Sequence, residues 1–89
     1  MLSFLPKTPI DIMQELKSKF KERRKSIGLT QTELATRSGV SLGSLKRFEK
    51  SGQTSLESLL KLALVLECLE DFEKVCEPKE IMPKSIEDL

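Results

Sequence analysis

Gln31-Thr32-Glu33-Leu34-Ala35-Thr36-Arg37-Ser38-Gly39-Val40-Ser41-Leu42-Gly43-Ser44-Leu45-Lys46-Arg47-Phe48-Glu49-Lys50 is the stretch whose reading decides the fold. Two short helices crossing steeply through a tight turn make fixed steric demands. Where the helices come closest a small residue is required, and Ala35 stands there. The turn needs a residue that tolerates positive φ, and Gly39 follows four residues later. The inward face needs apolar groups before the turn (Leu34), just after it (Val40) and twice in the second helix (Leu45, Phe48). All six demands are met at the expected spacing, which predicts a helix-turn-helix over 31–50.

Outward from this unit the pattern stays helical, and no strand is expected. Thr8 caps a first helix, Pro9 suits its first position and Asp11 adds negative charge to its first turn. Met13, Leu16 and Phe20 form its apolar stripe, with Ile27 a further candidate. Gly28 closes it. Thr30 and Glu33 are spaced as a capping box for the second helix, and Ser41 caps the third. After the loop Ser51-Gly52-Gln53-Thr54, either Thr54, boxed with Glu57, or Ser55 caps a fourth helix. Its core stripe is read as Leu56, Leu59, Leu60, Ala63 and Leu66. A fifth short helix is expected over about Leu69 to Cys76. The organisation is then an N-terminal arm (1–8), one helical domain (9–76) and an acidic tail (77–89).

Composition narrows the function. The 89 residues are 38% apolar and 33% charged, as suits one small globular domain. Four Phe, no Trp and no Tyr leave an aliphatic core and little for base stacking. No His removes the commonest general base and metal ligand. Cys68 and Cys76 alone match no zinc pattern and read as reduced thiols of a cytoplasmic protein. No apolar run reaches membrane-span length. Neither catalytic residues nor a metal, cofactor or small-molecule substrate is expected. Net charge is +1, but residues 1–66 carry 12 Lys/Arg against 6 Asp/Glu, whereas 67–89 carry 3 against 8. A basic body with an acidic tail suits a polyanionic partner.

Leu16 to Phe72 resembles the lambda-repressor-like (Xre) helix-turn-helix family. The resemblance lies in Arg24, Gly28-Leu29-Thr30-Gln31, Glu33-Leu34-Ala35, Gly39-Val40-Ser41, Phe48-Glu49 and Ser55-Leu56-Glu57 with Leu59-Leu60. Ser41 to Glu49 and Leu69-Glu70-Asp71-Phe72 are further similar to HipB-like antitoxins, which bind their own operator and a HipA-like kinase toxin. The resemblance implies an all-α, five-helix fold whose third helix lies in the major groove of double-stranded DNA. Its outward residues Ser41, Leu42, Ser44, Lys46 and Arg47 are then the base-reading candidates. Arg47 is the strongest, because guanidinium bridges guanine O6 and N7. Lys46 suits either base or phosphate. Gly43 departs from the polar residue common at its place and reads nothing directly. Gln31, Lys50, Ser51, Gly52 and Gln53 are implied phosphate contacts. Arg24 and Glu49 are implied to pair across helices one and three. Arg23 departs from the small or apolar residue usual at its place, either to meet phosphate or to extend into solvent. The basic run Lys17 to Lys25 points several ways around its helix, and only part of it can face DNA.

Leu62, Val65, Leu69 and Phe72 lie on a second apolar stripe. It is read as the interface of a homodimer on a palindromic operator, with helix five folding over the stripe as the alternative. The expected function is a transcriptional repressor, with antitoxin activity a narrower form. The competing expectation is a module that acts mainly by binding a partner protein.

Overall fold

Four helices begin at a Ser or Thr hydroxyl that accepts a hydrogen bond from the backbone N–H three residues on. Thr8 accepts from Asp11 (3.1 Å), Thr30 from Glu33 (3.0 Å), Ser41 from Ser44 (3.1 Å) and Ser55 from Ser58 (3.0 Å). Each cap satisfies an N–H that the helix leaves without a partner. The helices are α1 (Pro9–Ile27), α2 (Gln31–Ser38), α3 (Leu42–Ser51) and α4 (Leu56–Val65), followed by a 3₁₀ helix (Leu69–Lys74). This computed structural model describes residues 5–78, and among them there is no strand. Residues 1–4 of the expected arm and 79–89 of the expected tail lie outside the described residues. At α4 the cap is Ser55, so Glu57 falls one position short of the third helical residue and the Thr54 box does not form.

α1 packs on α3, α2 packs on both α3 and α4, and the 3₁₀ helix folds against α4. The core they enclose holds Phe20, Leu29, Leu34, Ala35, Val40, Leu45, Phe48, Leu59, Leu62, Ala63 and Leu66. Phe20 meets Phe48 edge to face, with ring centroids 5.5 Å apart. The α2–α3 turn closes as expected: Ala35 is buried, and Gly39 takes φ +81° while its N–H donates to the Ala35 carbonyl. An L side chain at that φ is strained even though the space around Gly39 is open.

The structure corrects the reading of α4. Leu59, Leu62, Ala63 and Leu66 are the buried set, at the i, i+3, i+4, i+7 spacing of one helical face. Leu62 is completely buried in the chain's own core and is not available to a second copy. Leu56 begins the helix and stays exposed. Leu60 is half-buried. Ile27, last in α1, is likewise exposed.

The remaining residues of the supposed second stripe separate, because the chain reverses after α4. Cys68 N–H donates to the Ala63 carbonyl (2.9 Å) and Glu67 N–H to the Leu64 carbonyl (3.2 Å), with Glu67 at φ +62°. These two bonds form a Schellman closure, with Glu67 where glycine is usual. The reversal brings the 3₁₀ helix back over the core, where Val65, Leu69 and Phe72 are partly buried. Phe72 lies 6.4 Å from Phe20, ring centre to ring centre. Leu69 instead shares an open concavity with Leu64. The fifth helix ends at Lys74 rather than Cys76, because Val75 is extended.

Candidate nucleic-acid interface

α3 has two sides. Leu45, Phe48 and Glu49 are buried, while Ser41, Gly43, Ser44, Lys46 and Arg47 are exposed and Leu42 is half-buried against the core. The base-reading candidates therefore share one surface, apart from the buried part of Leu42. Ser41 has a competing duty, since its oxygen caps the helix and its hydroxyl donates to Ser44 Oγ (2.9 Å). Nothing lies within 4 Å of where a Gly43 side chain would begin.

The inner side of α3 is anchored by a charge pair. Arg24 Nε donates to Glu49 Oε2 (2.8 Å), Arg24 Nη2 to Glu49 Oε1 (3.0 Å) and Arg24 Nη1 to the Leu29 carbonyl (2.9 Å). The pair inferred from the resemblance is thus present, buried and bidentate. Gln31 Nε2 adds a third bond to Glu49 Oε1 (2.9 Å), so the α2 side chain expected at phosphate is engaged inward. Burial pushes the Glu49 carboxyl up. The hydrogen bonds from Arg24 and Gln31, with the charges of Arg24 and Lys21, outweigh it and hold Glu49 below the ordinary 4.5.

The end of α3 is tied to α1 by two side chains that sequence reasoning did not single out. Gln14 Nε2 donates to the Ser51 carbonyl (2.9 Å) and Lys17 Nζ to the Lys50 carbonyl (3.0 Å). Both satisfy last-turn carbonyls, and Lys17 places positive charge at the negative end of the helix. The available signal was a polar stripe, Gln14, Lys17, Lys21 and Arg24, running beside Met13, Leu16 and Phe20 at the same period. Lys17 and Lys21 thereby belong to the α3 side of α1. Arg23 turns the other way, and its Nη1 caps the Leu66 carbonyl of α4 (3.2 Å). Arg23 stays exposed, with this one bond holding its guanidinium at the end of α4.

The loop after α3 also departs from expectation. Gly52 is buried, its N–H is spent on the Phe48 carbonyl (2.7 Å), and a Cβ there would lie 3.1 Å from Met13 O. It offers no donor to phosphate and serves instead as a close-packing point against α1. Lys50 and Gln53 are exposed and Ser51 is half-buried. Ser51 Oγ donates to the Arg47 carbonyl (2.7 Å) and accepts from Gln53 N–H (3.1 Å), while Arg47 Nη2 donates to Gln53 Oε1 (2.8 Å). Arg47 and Gln53 line an open concavity of about 480 Å³ between α3 and the start of α4.

Among the described residues, no cluster of His, Cys, Asp or Glu is placed to hold a metal ion, and no helix is long and apolar enough to cross a membrane. Cys68 is half-buried and Cys76 exposed, both as free thiols, and burial pushes the Cys68 thiol up. No solved structure matches this chain. A Helix-turn-helix family model matches residues 20–72, from the middle of α1 to the 3₁₀ helix. With more than half of its length matched, the chain belongs to the lambda-repressor-like, Xre-type helix-turn-helix family of DNA-binding domains.

Proposed function

We propose that the chain is a sequence-specific transcriptional repressor that lays the exposed side of α3 in the major groove. The two-sidedness of α3 carries this reading: Ser44, Lys46 and Arg47 face outward from a helix locked on its inner side through Glu49. Arg47 reads a base, Lys46 reads a base or meets phosphate, Ser44 and the exposed part of Leu42 supply short contacts, and Lys50 meets the backbone. Ser41 contributes chiefly as a cap, and Gln31 through its backbone at the α2 N-terminus.

A second copy completes the unit. Leu64 is 62% exposed and shares its concavity with Leu69, so the outer side of α4 is the surface for a homodimer. Two recognition helices about 34 Å apart then read a palindromic operator.

Selection from a pool of randomised duplexes by the full-length chain tests the reading. A recovered palindrome whose binding weakens steeply with salt supports it. Failure to enrich any sequence would overturn it. The narrower reading, a HipB-like antitoxin held by a HipA-like kinase, rests on the wording of Ser41 to Glu49 and Leu69 to Phe72. Co-purification with a kinase encoded beside it is the test.

A further inference from the structure

Arg47 is not a free surface arginine. Its carbonyl accepts from Ser51 Oγ (2.7 Å), Ser51 Oγ accepts from Gln53 N–H (3.1 Å), and Gln53 Oε1 accepts from Arg47 Nη2 (2.8 Å). These three bonds make a closed ring across the C-terminal end of α3 and the loop beyond it. A guanidinium has donors only, so the Gln53 amide must present its oxygen to Arg47. One of five N–H groups is used, and four remain for a base edge. Gln53 itself is held by its backbone, because its N–H is bonded to Ser51.

We propose that Gln53 is a positioning residue for base reading, holding the Arg47 guanidinium in the orientation that meets a guanine rather than contacting phosphate itself. The inference rests on the proposed DNA-reading role of α3. A long arginine side chain loses rotamer freedom when it docks, and that cost opposes binding. Fixing the fork beforehand removes part of the cost, and it restricts the directions from which a bidentate pair can form. Ser51 acts one step back, by fixing Gln53.

The test uses the duplex that the unmodified full-length chain recovers from a randomised pool, against a scrambled duplex of equal length. Arg47→Ala is expected to lower preference for the recovered duplex by about tenfold or more, at one base pair per half-site. Gln53→Ala should lose preference at that same base pair, leave the salt dependence unchanged, and add little to Arg47→Ala in the double variant. Gln53→Glu keeps the acceptor and so should keep the base preference, while its negative charge weakens both duplexes alike. Equal melting temperatures for the Gln53 variants would establish that folding is not the cause.

Additive losses from Gln53→Ala on recovered and scrambled duplexes alike, with a shallower salt dependence, would make Gln53 a phosphate contact and overturn the proposal. Loss of base preference in Gln53→Glu would overturn it equally. If the unmodified chain recovers no sequence, the DNA-reading role fails and this proposal falls with it. If a sequence is recovered and the two losses add, only the role of Gln53 fails.

Discussion

The Arg24 guanidinium and the Glu49 carboxylate meet edge to edge, with paired bonds of 2.8 and 3.0 Å, and their side chains keep only 9% and 4% of their surface. One residue sits in α1 and the other on the inner side of α3, so the pair ties the two helices together. Two further bonds from α1, through Gln14 and Lys17, fasten the same helix at its end.

Removing one partner strands the other. Glu49→Ala should cost about 3–5 kcal/mol, because Arg24 is left buried and uncompensated. Urea unfolding at neutral pH measures this. Folding lowers the Glu49 pKa, so the unfolded chain binds the proton more readily than the folded one. The stabilisation is complete above 4.5 and is lost as pH falls through the lower folded value. Glu49→Gln should be less stable at neutral pH and lose less on acidification. Parallel acid limbs for the two proteins would contradict the pairing.

Gly39 and Gly52 both take positive φ, but only Gly52 is crowded. Gly39→Ala should cost about 1–2 kcal/mol, from backbone strain alone. Gly52→Ala adds a Cβ 3.1 Å from Met13 O and 3.2 Å from Gln14 Nε2. It should cost more, about 2–4 kcal/mol, and disturb the bond from Gln14 to Ser51. Equal losses in thermal unfolding would deny the close approach of α1.

Arg23 separates a structural role from a DNA role. Arg23→Ala frees the Leu66 carbonyl at the end of α4 and should cost about 0.5–1.5 kcal/mol. Affinity for the recovered duplex, measured well below the melting temperature, should be unchanged. A drop in both affinity and salt dependence would return Arg23 to the phosphate contacts.

Assembly is tested at Leu64, which is exposed, and controlled at Leu62, which is not. Leu64→Glu should give a folded monomer in sedimentation and weaken binding to a palindromic duplex much more than to a single half-site. Leu62→Glu should unfold the domain outright. Unchanged dimerisation in Leu64→Glu would remove the outer side of α4 as the interface, and a monomer at all concentrations of the unmodified chain would remove the dimer.

Much of the fold was legible because its determinants are local. A cap needs one hydroxyl at the right distance from an N–H, so Thr8, Thr30 and Ser41 mark the starts of their helices through a bond to the N–H three residues on. The α2–α3 turn was readable from Ala35 and Gly39 for the same reason. The Arg24–Glu49 pair was reached through resemblance, since 25 residues separate its partners and no local rule joins them.

The amino-acid order alone determined where α1, α2 and α3 begin, that α1 and α2 close at Gly28 and Gly39, that the helices pack as an all-α helix-turn-helix domain, and that α3 turns Leu45 and Phe48 to the core and Ser44, Lys46 and Arg47 away from it. Those outcomes follow from short-range hydrogen bonding and from a helical period that acts within a few turns. Only the tertiary structure decided which leucines of α4 are buried. Several faces of that helix are apolar, and the position of α2 and the chain reversal at Glu67 select among them. The tertiary structure also decided that Arg23 caps α4, that Gly52 packs on α1, and that Gln53 holds Arg47. Each of these depends on where a side chain ends after the backbone has folded, and sequence spacing does not specify that distance.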